Sequence, residues 1–185
     1  MFKKLLTLCT VILVVCLHVS AQEEFLRKPN QLKANLSLLG ANANYEMRLL
    51  KYSTLNLEGG VDMGFSYSGS SYYGEGWDFI ACPVFSAELR QYYGIARRAK
   101  KNKRIDNNAG NFFCIRGGYQ GRPLGATNYH YSNSTVFIAP AWGMQRSWGR
   151  HFSFEGRFGL AFVPDYGYAN TVQPYVRINF GYIIL

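Results

Sequence analysis

In the stretch HFSFEGRFGLAF, residues 151–162, Phe152, Phe154, Phe158, Leu160 and Phe162 share one parity, while Ser153, Glu155, Arg157, Gly159 and Ala161 share the other. A period of two marks a strand, because successive side chains point to opposite faces. The pattern recurs in 172–184, where Val172, Pro174, Val176, Ile178, Phe180, Tyr182 and Ile184 alternate with Gln173, Tyr175, Arg177, Asn179 and Gly181. Residues 134–146 set Val136, Ile138, Pro140, Trp142 and Met144 against Phe137, Ala139, Ala141, Gly143 and Gln145. Residues 111–121 set Phe113, Ile115 and Tyr119 against Cys114, Arg116 and Gln120.

Upstream, 78–92 places Phe79, Phe85 and Leu89 opposite Ser86, Glu88, Arg90 and Tyr92, and 54–67 places Leu55, Leu57, Val61, Met63 and Phe65 opposite Glu58 and Asp62. The strings LKANLSLLG and NYEMRLL keep Leu36, Leu38, Tyr45, Met47 and Leu49 on an apolar face, with Lys33, Glu46 and Arg48 on the other. No segment after residue 21 sustains a helical 3.6-residue period or holds 18 consecutive apolar residues. The pattern predicts an all-β chain of eight antiparallel strands, separated by GANA, KYS, 68–77, a basic run, 122–133, SWGR and 164–170. Pro83, Pro140 and Pro174 remove ladder donors and predict bulges or displaced pairing.

The first 21 residues read as an export signal: Lys3 and Lys4, an apolar run, then VSA ahead of QEEF. Cleavage after Ala21 leaves residues 22–185 as one domain, lowers the formal charge from +9 to +7, and removes Cys9 and Cys16. An eight-stranded barrel can turn its apolar face inward as a soluble cup or outward to lipid. A water-facing surface wants about 25–35% charged residues. The whole chain has 17% and spends much of it in RRAKKNKR, residues 97–104.

Aromatics point the same way, since membrane barrels carry belts of them at both interfaces. Tyr52, Tyr92, Tyr93, Trp148 and Tyr182 fall at one set of strand ends, and Tyr67, Tyr72, Tyr73, Trp77, Tyr129, Tyr131, Tyr166 and Tyr168 at the other. The expected architecture is an up-and-down transmembrane β-barrel in a bacterial outer membrane, with outer-membrane lipid as its surroundings and a monomeric state.

With lipid outside, Lys33, Arg48, Arg90, Arg116, Arg157 and Arg177 point inward against Glu46, Glu58, Asp62, Glu88 and Glu155. Eight-stranded interiors are filled by side chains, so these charges should pair in a packed lumen. Strand order suggests Glu88 opposite or diagonal to Arg116, Glu155 reaching Arg177, and Gly143 and Ala141 opposite Glu155 and Arg157. Cys82 and Cys114 fall toward opposite ends of neighbouring strands, so two lumenal thiols without a disulfide are expected.

FSAELRQYYGIARRAKKNKRIDNNAGNFFCIRGGY and FIAPAWGMQRSWGRHFSFEGRFGLAF resemble the small outer-membrane β-barrel proteins common in Bacteroidetes. The likeness lies in a strand ending in a Glu-Leu-Arg-Tyr-Tyr-like string, a basic turn, an Asn-rich re-entry, and a proline, tryptophan-glycine and arginine ahead of an aromatic strand. It implies the barrel fold and carries no activity.

YHYSN, with His130 and Ser132, is similar to the His-x-Ser-Asn motif of lipid A deacylase barrels, where the two residues would serve as base and nucleophile. That family's orienting Glu is missing from WGMQRS, and the next acid is Glu155, assigned to the lumen. His130 and His151 are too few to argue a metal site, and no phosphate-binding glycine loop occurs, so neither metal nor cofactor is expected. Arg97, Arg98, Lys100, Lys101, Lys103 and Arg104 form a solvated periplasmic turn that could attract an anionic envelope component. Their local clustering on an exported chain argues against nucleic acid. The expected role is therefore non-enzymatic, in envelope structure or surface interaction, with deacylation and binding through the basic turn as alternatives.

Overall fold

The computed structural model describes residues 28–70, 74–126, 134–164 and 171–185. The export signal expected over 1–21, and both His130 and Ser132, lie outside the described residues, as do Tyr72, Tyr73, Tyr129, Tyr131, Tyr166 and Tyr168. The chain is all-β, with eight antiparallel strands in one ring-like sheet.

The strands are β1 (Asn30–Ser37), β2 (Gly40–Leu50), β3 (Ser53–Ser70), β4 (Gly74–Tyr93), β5 (Asn111–Gln120), β7 (Thr135–Trp148), β8 (Phe152–Val163) and β9 (Thr171–Ile183). A two-residue β6 (Gly125–Ala126) adds to β4 at Ile80 and Ala81. Each long strand pairs with its neighbours in chain order, and β1 with β9 completes the circle. Closure gives every long strand two partners and leaves fewer open sheet edges.

Alternation decides which way each side chain points. Leu36, Phe85, Leu89, Ile115, Phe158 and Val176 are all exposed on the outside, whereas Lys33, Glu46, Arg90, Arg116, Glu155 and Arg157 are buried within. This reverses the usual arrangement of an apolar interior and a charged surface. Among the described residues an apolar cluster lies toward one end, where Tyr92, Ile95, Ile105, Phe112, Cys114 and Ala141 pack together.

Five local expectations are corrected. The expected 68–77 loop is largely strand, since β3 runs to Ser70 and β4 starts at Gly74. GANA is not a loop: β2 begins at Gly40 and the turn is Leu38–Leu39. Gly40 has φ 135°, and a Cβ there would strike the Val61 carbonyl, so glycine is what permits so early a start. Asn35 and Asn42 then pair in register and by a 2.8 Å side-chain hydrogen bond.

The prolines do not make bulges. Pro83 and Pro174 keep their register with Val61 and Leu160. At Pro140 the β7–β8 ladder is interrupted between Ile138 and Ala141 without a shift. The irregularity falls instead between Arg48 and Leu50. Pro140 keeps its place on the other flank, opposite Ile115 on β5, which holds the register across the interruption.

The basic stretch is more than a solvated turn. It forms a short helix α1 (Ile95–Lys100) and a 3₁₀ turn at Asp106–Asn108 that together close one end of the ring. Ile95, Ile105, Asn107, Asn108 and Ala109 are buried beneath it. Finally, the β7–β8 register places Gly143 opposite Arg157 and Gln145 opposite Glu155, two residues from the expected alignment. The reason is a three-residue turn, Gly149–His151, in which Gly149 takes φ 62°.

Candidate functional site

Nine of the eleven charged residues expected inside are buried: Lys33, Glu46, Glu58, Glu88, Arg90, Arg116, Glu155, Arg157 and Arg177. Arg48 and Asp62 are half-buried, nearer the ends of the ring. The parity of the strands brings all of these to one side of the sheet. Closure then brings together residues from strands that are not neighbours.

Toward the capped end, Glu46 is the hub. It lies 3.3 Å from Lys33 Nζ and 3.5 Å from Arg90 Nη1. Its Oε1 also accepts hydrogen bonds from the Tyr92 hydroxyl at 2.7 Å and from Thr54 Oγ1 at 2.9 Å. Gln145 Oε1 accepts from Lys33 Nζ at 3.0 Å, while Gln145 Nε2 donates to the Asn107 carbonyl at 2.6 Å, so this hub is tied directly to the cap.

Arg90 occupies the middle. Its Nε meets Glu88 at 2.5 Å, its Nη2 meets Glu155 Oε1 at 2.9 Å, and its guanidinium stacks 4.8 Å above the Phe112 ring. Arg157 links this layer to the next through Glu88 at 3.4 Å, Glu155, and Glu58 at 3.3 Å. Toward the far end, Glu58 receives Arg116 at 2.9 Å and Arg177 at 2.7 Å, and Arg177 also pairs with Asp62 at 2.9 Å. Tyr175 accepts from Arg116 Nη1 at 2.5 Å.

Five cations, Lys33, Arg90, Arg116, Arg157 and Arg177, thus meet five carboxylates, Glu46, Glu58, Asp62, Glu88 and Glu155, in one connected array. Each partner satisfies the charge that burial would otherwise leave costly. Beside the array, Asn35 donates to Asn42 and Asn44, each at 2.8 Å, and Asn44 bonds Asn56. Chemically this is a filled, ion-paired interior. Its carboxylates are held by cations.

One suggested placement holds and one suggested pairing does not form. Glu88 does stand opposite Arg116 in register, but Arg116 reaches across to Glu58 and Ser86 while Glu88 turns to Arg90 and Arg157. Glu155 faces Asn179 rather than Arg177, and its ion pairs are with Arg90, Arg157 and Lys33. Tyr92, placed among the rim aromatics, is buried as part of the array. Its parity with Glu88 and Arg90 already carried that signal. Cys82 and Cys114 are both buried and free, as expected.

The basic run sits on the cap. Arg97, Lys100, Lys101, Lys103 and Arg104 are exposed, and Arg98 is half-buried, donating to the Arg104 carbonyl at 3.0 Å. The cap is fastened by polar contacts to its surroundings: Ser147 Oγ to the Asp106 carbonyl at 2.8 Å, Arg104 Nη2 to the Gly149 carbonyl at 2.6 Å, and Asn107 Nδ2 to the Arg150 carbonyl at 3.2 Å. Asn107 and Asn108 hold φ values of 52° and 58°, a left-handed conformation that asparagine tolerates better than most residues. Asn108 Nδ2 also donates to the Lys28 carbonyl at 3.3 Å. The buried Ile95, Ile105 and Asn107–Asn108 were the parts that sequence reasoning missed.

No protein-family model, curated protein or solved structure matches this chain.

Proposed function

We propose that this chain is an integral outer-membrane β-barrel, acting in envelope structure or surface interaction rather than as an enzyme. The observation that carries the reading is the inversion of the ring: large apolar side chains such as Phe65, Phe85, Leu89, Phe152 and Val176 are exposed on the outside, while charges fill the inside. In water so much exposed apolar surface would drive association. In lipid it is the stable arrangement, and a ring whose strands all pair satisfies the backbone groups that hydrocarbon cannot.

The ion-paired interior and the cap support a structural role over conduction. Glu155 supports the non-enzymatic reading in the same way, because the acid nearest downstream of His130 is engaged by Arg90, Arg157 and Lys33. The chain sits as a monomer, with membrane lipid as its principal contact.

Fractionation of a Gram-negative host making the full chain tests the reading. Recovery in the outer membrane, with a band that migrates differently on unboiled and boiled gels, is the expected result. A chain recovered from soluble periplasm without detergent overturns it. Lipid A acylation compared between cells making the wild type and His130→Ala tests the non-enzymatic part: the two patterns should be identical, and a difference between them assigns an acyl hydrolase instead.

A further inference from the structure

Two clefts meet at the β7–β8 turn, one polar and one apolar, and they differ from the packed interior in being open to the outside. The polar cleft, of about 510 Å³, lies where the cap, the turn and the start of the described chain converge. Lys28, Arg104, Arg150 and His151 line it together with Asp106. Three permanent cations thus face one carboxylate, which is itself 3.5 Å from Arg104. The Arg104 bond to the Gly149 carbonyl and the Asn107 bond to the Arg150 carbonyl fix the two walls relative to each other. Exposed Lys100, Lys101 and Lys103 on the same cap add to the positive potential.

The apolar groove, of about 770 Å³, runs along the outer wall from the same turn. Its size falls in the roughly 300–1,000 Å³ range of small-molecule sites. The floor is cut by small residues in adjacent register: Ala34 stands opposite Ala43, and Ala43 opposite Gly59. Trp148, Phe152, Phe180 and Tyr182 wall it. His151 joins the two clefts, stacking on Tyr182 with ring centroids 5.4 Å apart and planes 15° apart.

We propose that these clefts together seat one anionic phospholipid, its phosphate among Lys28, Arg104 and Arg150 and an acyl chain over Ala34, Ala43 and Gly59. The inference rests on the membrane reading above, which places the groove in the hydrocarbon and the cap at the headgroups. Guanidinium and ammonium groups are strong donors to phosphate oxygens. The surplus of cations favours a headgroup with net negative charge over a zwitterionic one, whose own ammonium would be repelled.

The test uses full-length chain refolded in detergent, offered equal amounts of phosphatidylglycerol and phosphatidylcholine, with retained lipid counted by native mass spectrometry. The wild type should keep one phosphatidylglycerol in preference to phosphatidylcholine. Lys28→Gln and Arg150→Gln should each lower that preference by about fivefold, the factor a basic side chain contributes near an anionic lipid surface. Neither side chain makes a fastening contact of the cap, so both variants should fold. Ala43→Trp, or Ala34→Phe should the first not fold, fills the groove and should lower retention of both lipids.

Equal retention of the two lipids by the wild type overturns the proposal, and so does an undiminished preference in the Lys28→Gln, Arg150→Gln double variant. If inorganic phosphate displaces the lipid more than sodium chloride of matched ionic strength, and the groove variants bind as the wild type does, the cleft takes phosphate alone and the lipid site is overturned. Vesicle flotation separates the two readings: a chain that floats without lipid preference overturns this inference only, whereas one that does not float overturns the membrane reading with it.

Discussion

Arg90 on β4 and Glu155 on β8 form a two-pronged ion pair, with Nη2 2.9 Å from Oε1 and Nη1 3.2 Å from Oε2, although β5 and β7 separate their strands in the wall. The pair therefore spans the interior as a strut. Glu155→Gln removes the negative charge shared by Arg90, Arg157 and Lys33. Breaking a buried pair in this way costs about 3–5 kcal/mol, because a charge is left uncompensated. Urea unfolding of the refolded protein should show that loss for Glu155→Gln. The double variant Arg90→Met, Glu155→Leu should cost less than the sum of its single changes.

The cap offers a separate measurement. Asn107→Ala loses the bond to the Arg150 carbonyl and keeps a positive φ that alanine resists, together about 2 kcal/mol. The ring itself should persist. Trypsin should then cut within 97–104 several-fold faster than in the wild type, while the folded band on unboiled gels stays in place. Unchanged cleavage would mean that the 3₁₀ turn does not hold the basic helix.

How much of this was legible follows from the physics of each feature. Parity is local, so the inward placement of Glu155 and Arg157 could be read from the phenylalanines around them, and even Tyr92 shares the parity of Glu88 and Arg90. Partner choice is not local. Closure carries Arg90 to Glu155 and Arg116 to Glu58 across the interior, and no spacing along the chain encodes those separations. The cap was hidden for a third reason. Only Ile95 and Ile105 announce burial among six cations, with no strand or helix apolar period running between them, and the Asn107–Asn108 turn that seats them is set by backbone conformation.

Small residues inside the ring make room for large ones. Gly143 stands opposite Phe112 in register, and a Cβ added there would overlap the Phe112 ring. That ring in turn carries the Arg90 guanidinium at 4.8 Å. Gly143→Ala should therefore cost about 1–3 kcal/mol by overpacking. Adding Phe112→Leu to Gly143→Ala should recover part of that loss even though Phe112→Leu alone is destabilising. Purely additive unfolding free energies would place the strain elsewhere.

The outer wall decides between lipid and water. Leu89 is exposed, and it lies in register between Leu55 on β3 and Ile115 on β5, within an apolar band. An arginine facing the hydrocarbon midplane of a barrel costs roughly 2–4 kcal/mol, and the cost falls toward the interfaces. On a water-facing wall the same exposed substitution should change stability by no more than about 0.5 kcal/mol. Unfolding from phospholipid vesicles should show the larger of these losses for Leu89→Arg. If Leu89→Arg matches the wild type, the apolar band does not face lipid, and the inverted ring needs a protein partner to cover it.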